Sequence, residues 1–163
     1  MRFIPMPARA LLRRSSPLAS PIGGNRRRQK PVQTIMKVLR TYARVYSADL
    51  DGVVPALSQA TGQPVGTRFS LPNGLALAAV GRVLVVAGAE ETLAPFRATH
   101  ATLIVDDLDE CQALLSAVGA RLVRGPQQVP TGRNLTAVLA DGVQVEYVEW
   151  SQAQWEQDNS KRD

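Results

Sequence analysis

The chain has 163 residues, 45% of them hydrophobic and 20% charged, which is enough for one domain with a real core and too little for two large independent folds. Its formal charge of +5 comes from residues 1–35, which hold 8 of the 19 basic residues and no acid, so the rest carries 11 basic against 14 acidic residues, a net −3, and a basic folded face for nucleic acid is disfavoured. A single cysteine, Cys111, excludes an internal disulfide and a Cys-rich zinc site, and no apolar run approaches the ~18 residues of a membrane span.

Residues 1–35 combine five prolines, Gly23-Gly24 and Arg26-Arg27-Arg28, a composition that cannot pack a core and reads as a disordered basic leader. Its Arg-rich, acid-free character matches an organellar transit peptide, and a spurious extension upstream of a true start at Met36 fits better. A nucleic-acid-binding arm is a third reading. The expected organisation is a folded body over 36–150 and a polar C-terminal tail over 151–163. The expected compartment is the cytoplasm, or an organelle if the leader is a transit peptide.

The body repeats itself. Shifted by 58 residues, Thr41 to Ala60 aligns with Thr99 to Val118 without a gap, and the identical pairs are Thr41/Thr99, Ala43/Ala101, Asp49/Asp107, Leu50/Leu108, Asp51/Asp109, Leu57/Leu115 and Ser58/Ser116. In the first copy a strand leads to a helix over about Asp51 to Thr61, ended by Gly62. Short strands follow at Gly66–Leu71, Leu75–Val80 after Pro72-Asn73-Gly74, and Val83–Ala87.

In the second copy the strand Thr99–Val105 leads to a helix announced by Asp107 and Glu110 at capping-box spacing and stopped by Gly119. Strands at Arg121–Arg124, Leu135–Ala140 and, after Asp141-Gly142, Val143–Glu149 complete it. The polar segment Pro126–Asn134 is a lid or a long hairpin connection. The fold class is therefore α+β, with two tandem βαβββ modules at about 37–89 and 97–150, their mixed sheets covered by a helix on one face. The other face must cover the partner half or a ligand.

His100-Ala-Thr-Leu-Ile-Val-Asp-Asp107-Leu108-Asp109 and Asp141-Gly142-Val-Gln-Val-Glu146-Tyr147 resemble the metal-histidine strand and the metal-glutamate strand of the vicinal oxygen chelate superfamily. That group includes glyoxalase I, extradiol dioxygenases and bleomycin-binding proteins. The resemblance implies a U-shaped cleft, a homodimer and a divalent ion (Fe, Mn, Ni, Co or Zn) held by residues that include His100 and Glu146. Tyr42 occupies the histidine position of the first module, and Arg82–Gly88 offers no His, Asp or Glu, so only two protein ligands remain where catalytic sites use three.

Strand alternation supplies candidates of its own. If His100 faces the cleft, so do Thr102 and Ile104; Glu146 brings Gln144, Val148 and Trp150; Tyr42 brings Arg44 and Tyr46. Glu146, set in an apolar strand, needs a partner, and His100 or Arg44 can supply it. Arg68 is a candidate anion contact, and Arg133 reaches the ligand if its segment is a lid. Phosphate-cradling loops, Gly-x-Ser-x-Gly and His-Glu-x-x-His are absent from the sequence.

The reading is a small-molecule-binding protein of the glyoxalase or bleomycin-resistance type with Tyr42, Arg44, Thr102, Gln144 and Arg133 on the ligand. The alternative is a metal-dependent lyase, isomerase or dioxygenase using His100 and Glu146 as catalytic groups and metal ligands.

Overall fold

The computed structural model describes residues 36–160; the expected leader over residues 1–35 lies outside the described residues. The chain runs β1 (Val38–Ser47), α1 (Leu50–Thr61), β2 (Val65–Ser70), β3 (Ala76–Val80), β4 (Val83–Ala87), a linking helix α2 (Glu90–Leu93) and a 3-10 turn (Ala94–Phe96). It continues through β5 (Thr99–Val105), α3 (Leu108–Ala117), β6 (Arg121–Val129), β7 (Gly132–Val138), β8 (Gln144–Trp150) and α4 (Gln152–Asn159). The α+β class and the two βαβββ modules are those expected. Among the described residues no helix is long and apolar enough to cross a membrane.

The repeat identities fall on positions with structural work. Asp49 accepts the Gly52 amide at 2.9 Å and starts α1; its counterpart Asp107 accepts the Glu110 amide at 2.8 Å and starts α3. Each such cap is worth about 1 kcal/mol. Leu57 packs beneath α1 with Leu50, Val54, Ala78 and Val85, while Leu115 packs beneath α3 with Leu108, Cys111, Leu135 and Tyr147. Gly62 and Gly119 end the two helices with φ of 65° and 78°.

The strands form one sheet in the order β2-β3-β4-β1-β5-β8-β7-β6. β1 and β5 join the modules as an antiparallel pair in which Ala43 lies opposite Ala101, and these are also repeat mates. The pseudo-twofold axis therefore passes between the two alanines. It sets Tyr42 opposite Thr102 and places Arg44 and Thr102 at equivalent positions of the two modules.

Two stretches are more regular than expected, the first in favour of the hairpin reading. β6 extends to Val129, because Gln127, Gln128 and Val129 pair with Asn134, Arg133 and Gly132, so the Pro-punctuated segment is the tip of a β-hairpin. Pro126 is tolerated there because β6 is an edge strand. The polar tail, in turn, carries α4. Ser151 caps it by accepting the Gln154 amide at 3.3 Å, and Gln154 and Asp158 are buried.

Cys111 is fully buried under α3, and burial together with the charge of Asp107 pushes its thiol up to about 11. Only the thiolate is nucleophilic, so at pH 8 native protein should label with iodoacetamide far more slowly than urea-unfolded protein. Equal rates in the two states would show that the thiol is exposed.

Candidate functional site

The strands present alternate residues to the face opposite α1 and α3, with β6 changing parity between Arg124 and Gln127, and that face lines a concave cavity of about 470 Å³. Residues of the two edge strands line the same cavity, Thr67 and Phe69 from β2, Arg124 and Val129 from β6, so the sheet curls into a half-barrel. The wall is asymmetric. The first module supplies an apolar side with Phe69, Leu75, Leu77, Leu84 and Val86, while the second supplies Thr102, Arg124, Gln127, Asn134 and Glu146.

The polar centre is an ion pair with two supports. Arg44, whose side chain is only 4% exposed, pairs through Nη2 with Glu146 Oε2, whose side chain is 12% exposed. Arg44 Nε donates to Thr102 Oγ1 at 2.8 Å, and that hydroxyl donates to Glu146 Oε2 at 3.0 Å. Asn134 Nδ2 donates to Glu146 Oε1 at 2.9 Å. Burial works against the Arg44 charge, but the pull of Glu146 and the contact with Tyr46 outweigh it, so the guanidinium sits above its ordinary pKa. Of the two partners the sequence offered Glu146, the structure selects Arg44.

α4 closes one end. Arg40 pairs with Asp158 and lies 5.1 Å from the Trp150 ring centroid and 4.8 Å from that of Trp155. Gln154 and Asp158 each bond to Thr67 of β2 at 3.3 Å, tying the last helix to the opposite edge of the sheet.

Tyr42, Arg44, Thr102 and Glu146 thus meet on the cavity wall, joined by Ile104, Val148 and Trp150. His100, Gln144 and Arg133 do not line it. Thr99 pairs with Gln144 and Ala101 with Val145, so β5 carries one extra residue at His100, a β-bulge. The bulge breaks the alternation: Thr99 takes the place beside Gln144, accepting its amide at 2.8 Å, and His100 is exposed. Arg133 points away to Asp109 and lies 3.9 Å from Glu149, and Arg68 pairs with Asp51 on α1. Asn134 and Arg124 also line the cavity, and alternation does not mark them, because Pro126–Asn134 is polar on both faces and β6 changes parity between Arg124 and Gln127.

A curled eight-stranded sheet of two βαβββ modules around a concave, largely apolar cavity defines a half-barrel. The fold is the one that the resemblance to the vicinal oxygen chelate superfamily implied. The chain is 44% identical to an uncharacterized protein of known structure from Methanosarcina mazei, over 71% of this chain and 95% of that one, with a TM-score of 0.67. It shares its fold with methylmalonyl-CoA epimerase from Mycobacterium tuberculosis (22% identity, 71% and 89% coverage, TM-score 0.56). The same holds for a Streptomyces coelicolor methylmalonyl-CoA epimerase variant in complex with 2-nitronate-propionyl-CoA (18%, 71% and 99%, TM-score 0.56). No protein-family model matches the chain and no curated protein does.

The resemblance to the vicinal oxygen chelate superfamily implies a divalent ion, and the donor set here does not fit one. Glu146 is committed to Arg44, Thr102 and Asn134, and His100 stands off the cavity. Among the described residues no three His, Cys, Asp or Glu side chains converge as a metal group.

Proposed function

We propose that this protein binds a small, largely apolar organic molecule in the cavity between its two modules, without a metal ion. The observation that carries this reading is the cavity's make-up: about 470 Å³, apolar on the first-module side, with a polar centre whose one carboxylate is already neutralised by Arg44. Such a site, concave and mostly apolar with a few fixed polar groups, is built to bury and orient a ligand. The solved epimerases share the fold, and Glu146 here already accepts from three donors, Arg44, Thr102 and Asn134.

Trp150 lines the cavity and Trp155 packs on it edge to face, so their emission should report occupancy. Titrating the full chain with a set of small organic acids, amides and alcohols, and with an acyl-CoA thioester, is expected to give saturable changes for some members. Leu84→Trp fills the apolar side and should weaken those responses at least tenfold with an unchanged circular dichroism spectrum. Responses that persist unaltered in Leu84→Trp would place binding elsewhere.

A further inference from the structure

Two groups on the second-module wall have chemistry left over, and together they specify the ligand of the site proposed above. Arg124 is the first. The charged residues lining the cavity are Arg44, Arg124 and Glu146; Arg44 and Glu146 cancel each other, so the wall carries a net +1 from Arg124. Arg124 Cζ sits over the Phe96 ring, 4.3 Å from its centroid. A cation–π contact draws on the charge of a guanidinium that also carries five N–H donors suited to an anion. Among the described residues the arginines in ion pairs are Arg40, Arg44, Arg68, Arg97 and Arg133, and Arg124 is not one of them.

Asn134 is the second. It is 9% exposed and lines the cavity, and its Oδ1 is the one buried side-chain polar atom, among the described residues, without a hydrogen-bond partner. Its amide cannot be reversed, because Glu146 Oε1 requires the donor it receives from Nδ2. The orphan is therefore an acceptor, and buried acceptors are rarely left without a donor.

Arg124 and Asn134 belong to one hairpin, where Arg124 pairs with Thr136 and Asn134 with Gln127, so the two groups address the same end of a bound molecule. The apolar wall of the first module takes the other end. We infer that the ligand is an organic acid carrying a hydroxyl or N–H near its anionic group and an apolar chain or ring beyond it. The anion sits on Arg124, the donor on Asn134 Oδ1, and the apolar part on Leu75, Leu77 and Leu84.

This inference rests on the cavity being a ligand site, and a matched probe set separates the two. The full chain is titrated, by calorimetry and Trp emission, with 3-phenyllactate, 3-phenylpropionate (no hydroxyl), 3-phenyllactamide (no charge) and 3-phenylpropanol (neither). 3-Phenyllactate is expected to bind at least tenfold tighter than each of the others. Arg124→Gln should erase the preference for acid over amide, and Arg124→Lys should restore part of it. Asn134→Ala should erase the preference for hydroxy acid over plain acid while the preference for acid over amide survives.

Equal binding of acid and amide by the wild-type chain, or an acid preference undiminished in Arg124→Gln, would overturn the inference. If 3-phenylpropanol binds as well as 3-phenyllactate, the inference falls and the apolar cavity reading stands. If none of the four binds, both fall.

Discussion

Replacing Glu146 by Leu should cost about 3–5 kcal/mol of stability, the loss expected when one partner of a buried ion pair is removed. The cost comes less from the lost attraction than from what remains. Arg44, with its side chain 4% exposed, keeps its charge, and Thr102 and Asn134 lose the acceptor of their donated hydrogen bonds. The double variant Arg44→Met with Glu146→Leu should recover a good part of that loss, since it removes both charges and leaves an apolar centre. Urea unfolding of the two single variants and the double variant gives the coupling directly. Additive single effects would mean that the two side chains do not act as a pair.

Gly132→Ala should destabilise the chain by about 3 kcal/mol and weaken ligand binding with it. Gly132 has φ of 140°, a region closed to side chains, and a Cβ there would collide with the Glu149 carbonyl oxygen and lie 2.8 Å from the Ser151 amide nitrogen. The Ser151 amide bonds to the Thr131 carbonyl at 2.9 Å, so the substitution strikes the contact that holds the hairpin tip. Val129, Pro130 and Thr131 of that tip form part of the cavity wall. Gly142 is the control: its φ is 81°, but nothing lies within 4 Å of a Cβ built on it, so Gly142→Ala should cost only about 1 kcal/mol. Equal urea midpoints for the two variants would show that steric closure at Gly132 contributes nothing.

The architecture was legible because its determinants are local and occur twice. Asp49 and Asp107 cap helices from within the sequences they start, and Leu57 and Leu115 sit at helical spacing from their caps. Asp141 and Gly142, with φ of 58° and 81°, make the tight turn their dipeptide announces. The site was legible only where alternation runs undisturbed, as from Tyr42 to Arg44 and from Glu146 to Trp150. A single extra residue at His100 leaves no mark on composition or spacing, yet it shifts which side chain faces the cavity. α4 was hidden for another reason: its buried Gln154 and Asp158 are held by Thr67 and Arg40, and helix periodicity is read from apolar residues. Asn134 and Arg124 gain their meaning from a hairpin and a stacking contact with Phe96 that only the curled sheet creates.

Glu146 meets a guanidinium, and the function proposed for its cavity needs no metal. Elemental analysis of the full chain, purified without chelator and offered Mn, Fe, Co, Ni and Zn in turn, measures this most directly, with Glu146→Gln as the comparison. Metal well below one ion per chain in both proteins is the expected result. Stoichiometric metal in the wild-type chain that is lost in Glu146→Gln would contradict it, and would mean that Arg44 yields Glu146 to an ion.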